Sequence, residues 1–142
     1  MNKLIASILF CSLLSLAKAQ VLPSEIANLK EQLAKAGHDS TRLRLLESLA
    51  TGYRFSIVDS SLYYNGLAIE LAEKMKLPEK KANLQSLKGA TILEAGDIPG
   101  SLQLQFIALK ESERLKDSST RGFALNRIGN TYMELGEYKK AN

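Results

Sequence analysis

Residues that could take part in catalysis or metal binding are few in this sequence and lie far apart. There is one histidine, His38, and one cysteine, Cys11. His38 stands beside Asp39, so a metal-binding or pH-sensitive role is one interpretation. We favour the other, an exposed loop residue near a helix end. A zinc site would otherwise need mostly carboxylate ligands, which zinc seldom uses alone. The sequence therefore predicts no metal site and no cofactor.

Other patterns with possible chemistry lack the partners that they need. Gly89 and Gly96 are not followed by a Lys-Ser or Lys-Thr pair, so they do not match a phosphate-binding loop. Residues 96–100 could suggest a ligand loop, but a turn between two helices explains them better. No Gly-x-Ser-x-Gly motif is present. Glutamates paired with basic residues are interpreted as solvated helix faces, as at Glu70, Glu73 and Lys74 and again at Glu111, Glu113 and Arg114. We therefore predict that the chain is not an enzyme.

The first nineteen residues have the pattern of a secretory signal peptide. Lys3 supplies a positive charge, residues 4–17 are uncharged and mostly apolar, and Ala17 and Ala19 are the small residues before a cleavage site. An uncleaved N-terminal anchor is the alternative, although the apolar run is short for a membrane span. We expect residues 1–19 to be removed after Ala19 and the chain to be exported to the periplasm.

Removal of this leader changes the composition of the mature chain. Cys11 lies in the leader after Phe10, which is not the small residue that a lipid-anchored cysteine requires, so no cysteine would remain. Disulfides and thiolate chemistry are then excluded. Loss of Lys3 and Lys18 lowers the formal charge of the 142-residue chain from +4 to about +2. With so small an excess and no basic cluster, the sequence predicts no nucleic-acid partner.

The chain repeats itself with a period of forty residues. Such self-similarity is the mark of a repeat architecture. A further copy lies upstream with a one-residue slip, because residues 39–42 resemble residues 118–121. We therefore expect a leading helix within residues 20–40 and repeats at about 41–78, 79–118 and 119–142, the last incomplete. The pairs matched at the forty-residue shift include Gly89 with Gly129, Gly96 with Gly136, Ala68 with Ala108, Leu62 with Leu102 and Glu73 with Glu113.

Each repeat is predicted to contain two helices, because apolar residues recur three or four positions apart. We expect helices over 24–36, 41–55, 59–75, 79–95, 98–115 and 120–135, and no sheet. Gly96 suits a left-handed C-terminal position, and Pro78 suits a first helical turn. The expected N-caps are Ser40 or Thr41, Asp59 and Asp97. The expected inward side chains are Leu43, Leu46, Leu49, Ala50 and Tyr53 of one helix and Leu62, Ala68, Ile69, Ala72 and Met75 of the next.

The third repeat resembles the tetratricopeptide (TPR) pattern. That pattern has a Leu-Gly pair, a Tyr, a turn Gly, an aromatic residue and a small Ala, here Ile128, Gly129, Tyr132, Gly136, Tyr138 and Ala141. The second repeat matches at Gly89, Gly96 and Ala108 but has Lys88 where a Leu is expected. The first matches at Tyr53 and Ala68 without a turn glycine. In this pattern the small residues let two helices approach closely while the aromatic residues fill the space between them.

The resemblance implies an all-α fold in which tandem antiparallel helix hairpins form a right-handed α-solenoid. The forty-residue period is longer than the usual thirty-four, which implies longer helices or loops. The leader together with residues 29–54 and 59–84 resembles the N-terminal periplasmic repeat region of Bacteroidetes sensory and regulatory proteins of the histidine-kinase type. There a membrane span and an output domain usually follow. We therefore expect a protein-interaction scaffold of an exported or membrane-anchored signalling protein, with membrane contact only through a downstream span. The absence of a polar cap over Leu125, Ile128 and Tyr132 leads us to expect a truncated array.

In TPR arrays, the concave groove usually holds an extended peptide or a partner helix. By this analogy, polar residues of the first helix in each repeat line the groove, namely Arg54, Asn83, Lys88, Asn126, Asn130 and Glu134. We predict Asn83, Asn126, Asn130 and Glu134 as contacts to a protein or peptide partner. One alternative is a free-standing periplasmic protein that binds small ligands or glycans through its tyrosines, although most aromatic side chains are expected to pack between helices. An exported enzyme framed by the hairpins is a third reading, for which the required residues are missing.

Overall fold

The computed structural model describes residues 22–136, which fold into six helices with no strand. The predicted all-α fold is confirmed for this part of the chain. The proposed signal peptide, residues 1–19, lies outside the described residues, as do the repeat positions Tyr138 and Ala141. The helices are α1 (Pro23–Lys35), α2 (Asp39–Tyr53), α3 (Val58–Lys74), α4 (Pro78–Glu94), α5 (Ile98–Leu115) and α6 (Ser118–Glu134).

The helix starts follow the predicted positions within two residues, but two of the three predicted N-caps are wrong. Asp97 caps α5 as expected, because its carboxylate accepts the N–H of Gly100 at 2.9 Å. Asp59 instead lies in the first turn of α3, where a negative charge is favourable beside the helix N-terminus. Residues 40 and 41 lie inside α2, whose N-cap is His38. The last helix was predicted to open at Thr120 and instead begins at Ser118, with Asp117 as its N-cap.

Left-handed residues recur every twenty positions, at the ends of the helices. Lys76, Gly96, Lys116 and Gly136 have φ angles of 56°, 85°, 57° and 70°. Gly96 was predicted in this role, whereas the lysines were not, because a residue with a Cβ is strained at positive φ. After the first three of these turns, the following amide returns to a carbonyl five residues back, as from Asp117 to Ser112 at 2.8 Å. The turns therefore satisfy carbonyls that the helix ends leave open.

The forty-residue period arises from long helices joined by short turns. Helices α3 to α6 contain 17, 17, 18 and 17 residues. Each helix packs against its neighbour in sequence, and α4 also packs against α6. We call α2, α4 and α6 the A helices and α3 and α5 the B helices. The expectation of longer helices is thus confirmed, since the turns between them contain only two or three residues.

The core lies between the helices of each hairpin and between consecutive hairpins. All five side chains predicted to face inward from α2 are buried, and Leu49 and Ala50 have no exposed surface. In α3, Ala68 and Ala72 are fully buried, whereas Leu62, Ile69 and Met75 are half-buried. The main apolar cluster comprises Leu43, Leu46, Ala50, Ala68, Ala72, Leu84 and Leu87.

A close approach between α4 and α5 requires the glycine at position 89. A Cβ added there would lie 2.5 Å from Nε2 of Gln105 and 3.2 Å from Cβ of Leu104. Ala108, one turn further along α5, is fully buried. The small residues predicted as repeat positions therefore let these two helices approach each other closely.

Candidate functional site

The candidate site is a groove that crosses the three A helices. Its lining comes from α2, α4 and α6, and its volume is about 360 Å³. We call it the A-helix groove. Side chains three or four positions apart reach it from each helix, because such positions share one face. Its lining residues are Glu47, Thr51 and Arg54 from α2, Lys80, Asn83 and Leu87 from α4, and Phe123 and Arg127 from α6.

One ion pair crosses the groove between its first two helices. Lys80 Nζ lies 2.6 Å from Glu47 Oε2, and both side chains are partly buried. The pair leaves little net charge at this end of the groove. Such a pair contributes modestly to stability, because part of the Coulomb attraction is lost to solvent screening and to side-chain ordering.

Arg54 lies at the end of α2 and keeps part of its hydrogen-bonding capacity unused. Its Nε is buried and has no hydrogen-bond partner within residues 22–136. Its Cζ lies 4.1 Å from the ring centroid of Phe55, a distance at which the ring attracts the cation. Burial lowers the pKa of Arg54, and the charge of Glu94 opposes that shift. The guanidinium of Arg54 is therefore partly removed from water, and the charge of Glu94 offsets only part of the cost of burying it.

Arg127 brings a second guanidinium into the groove from α6. Its Nη1 donates to Ser86 Oγ at 2.9 Å, and Ser86 in turn donates to Gln105 Oε1 at 2.7 Å. Burial lowers the pKa of Arg127 to about 10, and repulsion from Arg54 acts in the same direction. Two cations thus share the groove at a cost to the folded state. An arrangement of this kind suits an anionic ligand group, which would relieve the repulsion.

A comparison with protein-family models identifies the family of this helical array. The model described as the SusR N-terminal TPR domain matches residues 21–104, from α1 into α5. The chain belongs to this family. This family consists of the N-terminal TPR domains of SusR-like Bacteroidetes regulators. A search of curated proteins finds no match.

The SusR-type TPR fold places only some of the predicted contact residues in the A-helix groove. Asn83 and Arg54 line it. Asn126, Asn130 and Glu134 are exposed on α6 and lie outside the lining of the groove. There Asn130 Nδ2 donates to Asn126 Oδ1 at 3.3 Å, so the two amides contact each other. Their role as partner contacts stays a prediction.

Several groove residues of this TPR domain were missed from sequence. Arg127 corresponds to Leu87 at the forty-residue shift, and Phe123 corresponds to Asn83. Most residue pairs aligned at this shift are of the same chemical type, whereas Arg127 is a charged residue where the preceding repeat has a leucine. That difference was the signal that could have identified Arg127. The other missed lining residues are Glu47, Thr51, Lys80 and Leu87.

The aromatic residues lie mostly outside the groove. Tyr53 is buried, and its ring stacks on Tyr64 with centroids 5.8 Å apart. Tyr63 packs edge-on against Tyr64 but is 62% exposed, beside a second cavity formed by α1, α2 and α3. Phe106 is exposed on α5. The tyrosines of the first hairpin therefore belong to the helix packing on the side of α1, not to the A-helix groove.

The remaining residues that could bind a metal ion or transfer protons do not come together in one site among the residues that the structure describes. Among residues 22–136, no group of three or more His, Cys, Asp and Glu side chains could hold a metal ion. His38 is exposed at the start of α2. Lys81 pairs with Glu73 at 2.9 Å and Arg114 with Glu111 at 2.9 Å, both on exposed surfaces. Across this same stretch, no helix has the length and apolar character needed to cross a bilayer.

Proposed function

We propose that this chain is a protein-interaction scaffold that holds an extended peptide segment or a partner helix in the A-helix groove. The observation that carries the proposal is the groove itself, which collects charged, polar and apolar side chains from three consecutive A helices. TPR domains generally mediate interactions between proteins, and the chain belongs to a TPR family. The mixture of Leu87 and Phe123 with polar neighbours fits a peptide, whose side chains alternate in character.

Peptide selection with a groove-blocking control tests this proposal. A displayed library of random extended peptides is panned on the mature chain, and the enriched peptides are measured against two variants. In Thr51→Trp, the indole fills space in the groove, because Thr51 is an exposed lining residue. In Lys110→Trp, the same side chain is placed on the exposed surface of α5.

We expect the Thr51→Trp variant to bind enriched peptides at least about tenfold more weakly, a difference of about 1.4 kcal/mol. The Lys110→Trp variant should bind as the parent chain does. Equal binding by both variants would place the peptide site elsewhere. Failure to enrich any peptide would contradict the proposal.

We further infer that the chain acts in the periplasm as the TPR region of an exported or membrane-anchored signalling protein. The leader pattern of residues 1–19 and the family of N-terminal regulator domains support this setting. Cell fractionation followed by N-terminal sequencing is the test. The expected result is a periplasmic or membrane-associated chain that begins at Gln20. An unprocessed chain in the cytoplasm would contradict it.

A second candidate function is small-ligand or glycan binding on the side of α1. The exposed ring of Tyr63 adjoins a cavity of about 570 Å³ that is also lined by Leu33 and Leu67. Sugars stack on exposed aromatic rings of this kind, because the ring face offers apolar contact area. Titration with a panel of oligosaccharides tests the candidate. Oligosaccharide binding that is lost in Tyr63→Ala but kept in Phe106→Ala would support this second function. Absence of oligosaccharide binding to the parent chain would rule it out.

A further inference from the structure

The two arginines of the A-helix groove carry a positive charge that the groove itself does not neutralise. The charges of Lys80 and Glu47 neutralise each other, because Lys80 Nζ lies 2.6 Å from Glu47 Oε2. Glu94 offsets part of the charge of Arg54, and Glu47, which is already paired with Lys80, is the one acidic residue that lines the groove among the residues that the structure describes. Arg127 therefore remains as the excess cation, close enough to Arg54 for the two charges to repel.

Both guanidinium groups retain donors that a ligand could use. A guanidinium has five N–H groups in a fixed plane. Within residues 22–136, Arg127 donates one hydrogen bond, from Nη1 to Ser86 Oγ. The Nε of Arg54 is buried and has no partner there. A buried donor without a partner is unfavourable, so the described residues leave the guanidinium of Arg54 incompletely satisfied.

The protein holds these donors in place before any ligand arrives. Ser86 and Gln105 fix Arg127 through a buried network that joins α4 and α5 to α6. The ring of Phe55 lies under the guanidinium of Arg54. Preorganised donors bind an anion at a smaller entropic cost than flexible surface lysines do.

Apolar side chains border the arginines and limit what kind of anion fits. Phe123 lies one turn before Arg127 on α6, and it is 51% exposed. Leu87 lies on α4 and also lines the groove. A carboxylate that is flanked by apolar side chains, as in an extended acidic peptide, matches this arrangement of charge and apolar surface better than a free inorganic anion does.

We propose that Arg54 and Arg127 form a carboxylate subsite that selects peptide partners with an acidic side chain next to an apolar one. This inference rests on the proposed function, because it names the ligand class of the same groove. The acidic side chain would accept hydrogen bonds from both guanidinium groups. Its apolar neighbour would pack against the exposed ring of Phe123.

A matched pair of probe peptides tests the subsite. Both are acetylated and amidated, so that neither has a terminal carboxylate: Gly-Ser-Leu-Asp-Leu-Ser-Gly and the same sequence with Asn in place of Asp. Fluorescence anisotropy measures their affinity for the mature chain at about 50 mM and about 300 mM NaCl. The variants are Arg54→Gln and Arg127→Gln, with Arg121→Gln as the control. Arg121 lies on α6 as well, but its side chain is 57% exposed and does not line the groove.

We expect the Asp peptide to bind about tenfold more tightly than the Asn peptide at low salt, and less so at high salt. Arg54→Gln and Arg127→Gln should each remove most of this preference, and Arg121→Gln should leave it intact. Since Arg127 also anchors Ser86, circular dichroism must verify that its variant is folded. Arg54→Gln tests the subsite independently of that network.

The outcomes separate this inference from the proposed function. Equal binding of both peptides, abolished by Thr51→Trp, would overturn the carboxylate subsite while leaving the groove as a peptide site. Failure of both peptides to bind would also overturn the subsite. The proposed peptide-binding function of the groove is tested separately, by the library selection. A phosphoserine peptide that binds tightly while the Asp peptide binds like the Asn peptide would assign the arginines to phosphate and overturn the proposal.

Discussion

Ser86 and Gln105 form a reciprocal pair of hydrogen bonds between the two helices of one hairpin. The Ser86 hydroxyl donates to Gln105 Oε1 at 2.7 Å, and Gln105 Nε2 donates to the carbonyl of Ser86 at 2.8 Å. Both side chains are fully buried. Because Arg127 donates to the same hydroxyl, the pair links the packing of α4 and α5 to the A-helix groove. A buried network of this kind is favourable only when its members are satisfied.

Removal of the Ser86 hydroxyl should therefore destabilise the chain. Ser86→Ala leaves Gln105 Oε1 without its donor and Arg127 without its acceptor, at an expected cost of about 1–3 kcal/mol in the free energy of unfolding. Urea denaturation measures this cost. Ser101→Ala is the control, because that buried hydroxyl has no hydrogen-bond partner in the described part of the chain. It should be neutral or stabilise by up to about 1 kcal/mol. Equal losses in the two variants would contradict the account.

The close approach at Gly89 gives a second prediction. In Gly89→Ala, the new methyl group meets a Gln105 carboxamide that is held by two hydrogen bonds, so Gln105 cannot move without breaking them. We expect a loss of about 1–3 kcal/mol by urea denaturation. The matched control is Gly122→Ala in α6, where an added Cβ meets nothing within 4 Å. That change should instead stabilise by about 0.5–1 kcal/mol, because alanine favours the helix. Stabilisation of both variants would mean that α4 and α5 are not in close contact.

The cap of α6 predicts a dependence of stability on pH. The Asp117 carboxylate accepts the N–H groups of Ser119 and Thr120 at 3.0 and 3.2 Å. Hydrogen bonding with Thr120 lowers the pKa of Asp117 below its usual value. A lowered folded-state pKa means that the stabilisation is fully present above the unfolded pKa of about 3.9 and is lost as pH falls through the folded value.

Asp117→Ala should cost about 1 kcal/mol at pH 7, and its difference from the parent chain should shrink as the pH falls below about 4. Asp117→Asn keeps an oxygen that can cap the helix, so it should cost less at pH 7 and show no such pH dependence. Thermal melts across this pH range provide the measurement. A cost of Asp117→Ala that stays constant with pH would show that the ionised carboxylate is not the stabilising group.

Repulsion between Arg54 and Arg127 gives a prediction about salt. The charged form of Arg127 is disfavoured in the folded chain by burial and by Arg54, in that order. A double-mutant cycle of Arg54→Gln and Arg127→Gln should therefore reveal an unfavourable coupling of about 0.5 kcal/mol at low salt. At about 500 mM NaCl the coupling should largely vanish through screening. A favourable coupling, or one that salt does not change, would contradict the geometry of the groove.

Much of the fold could be predicted from the sequence, because repetition and local chemistry agree. The shift that aligns Gly89 with Gly129 established the period, and the spacing of Leu43, Leu46 and Ala50 marked a buried face that the structure confirms. The turn between α4 and α5 was predicted correctly from Gly96 as its left-handed residue and Asp97 as the following N-cap. These signals are local in sequence, so no knowledge of tertiary packing was required.

The turns at Lys76 and Lys116 and the composition of the groove could not be predicted in the same way. A lysine does not indicate a positive φ from its residue type, as a glycine does. These two lysines adopt a positive φ because a short turn must connect two packed helices. Asn126 and Arg127 are adjacent on α6, yet only Arg127 lines the groove. Which of them does so depends on how α6 rotates against α4. The buried Ser86 of α4, which an apolar pattern does not mark, accepts a hydrogen bond from Arg127 of α6 and so joins these two helices.

The central claim is that the A-helix groove binds an extended peptide, and amide chemical-shift mapping tests it most directly. A peptide enriched in library selection is titrated into the isotopically labelled mature chain. The account predicts that the largest shifts fall on residues of α2, α4 and α6 that line the groove, such as Thr51, Asn83 and Arg127. Shifts confined to α3 and α5, or to the cavity beside Tyr63, would contradict it.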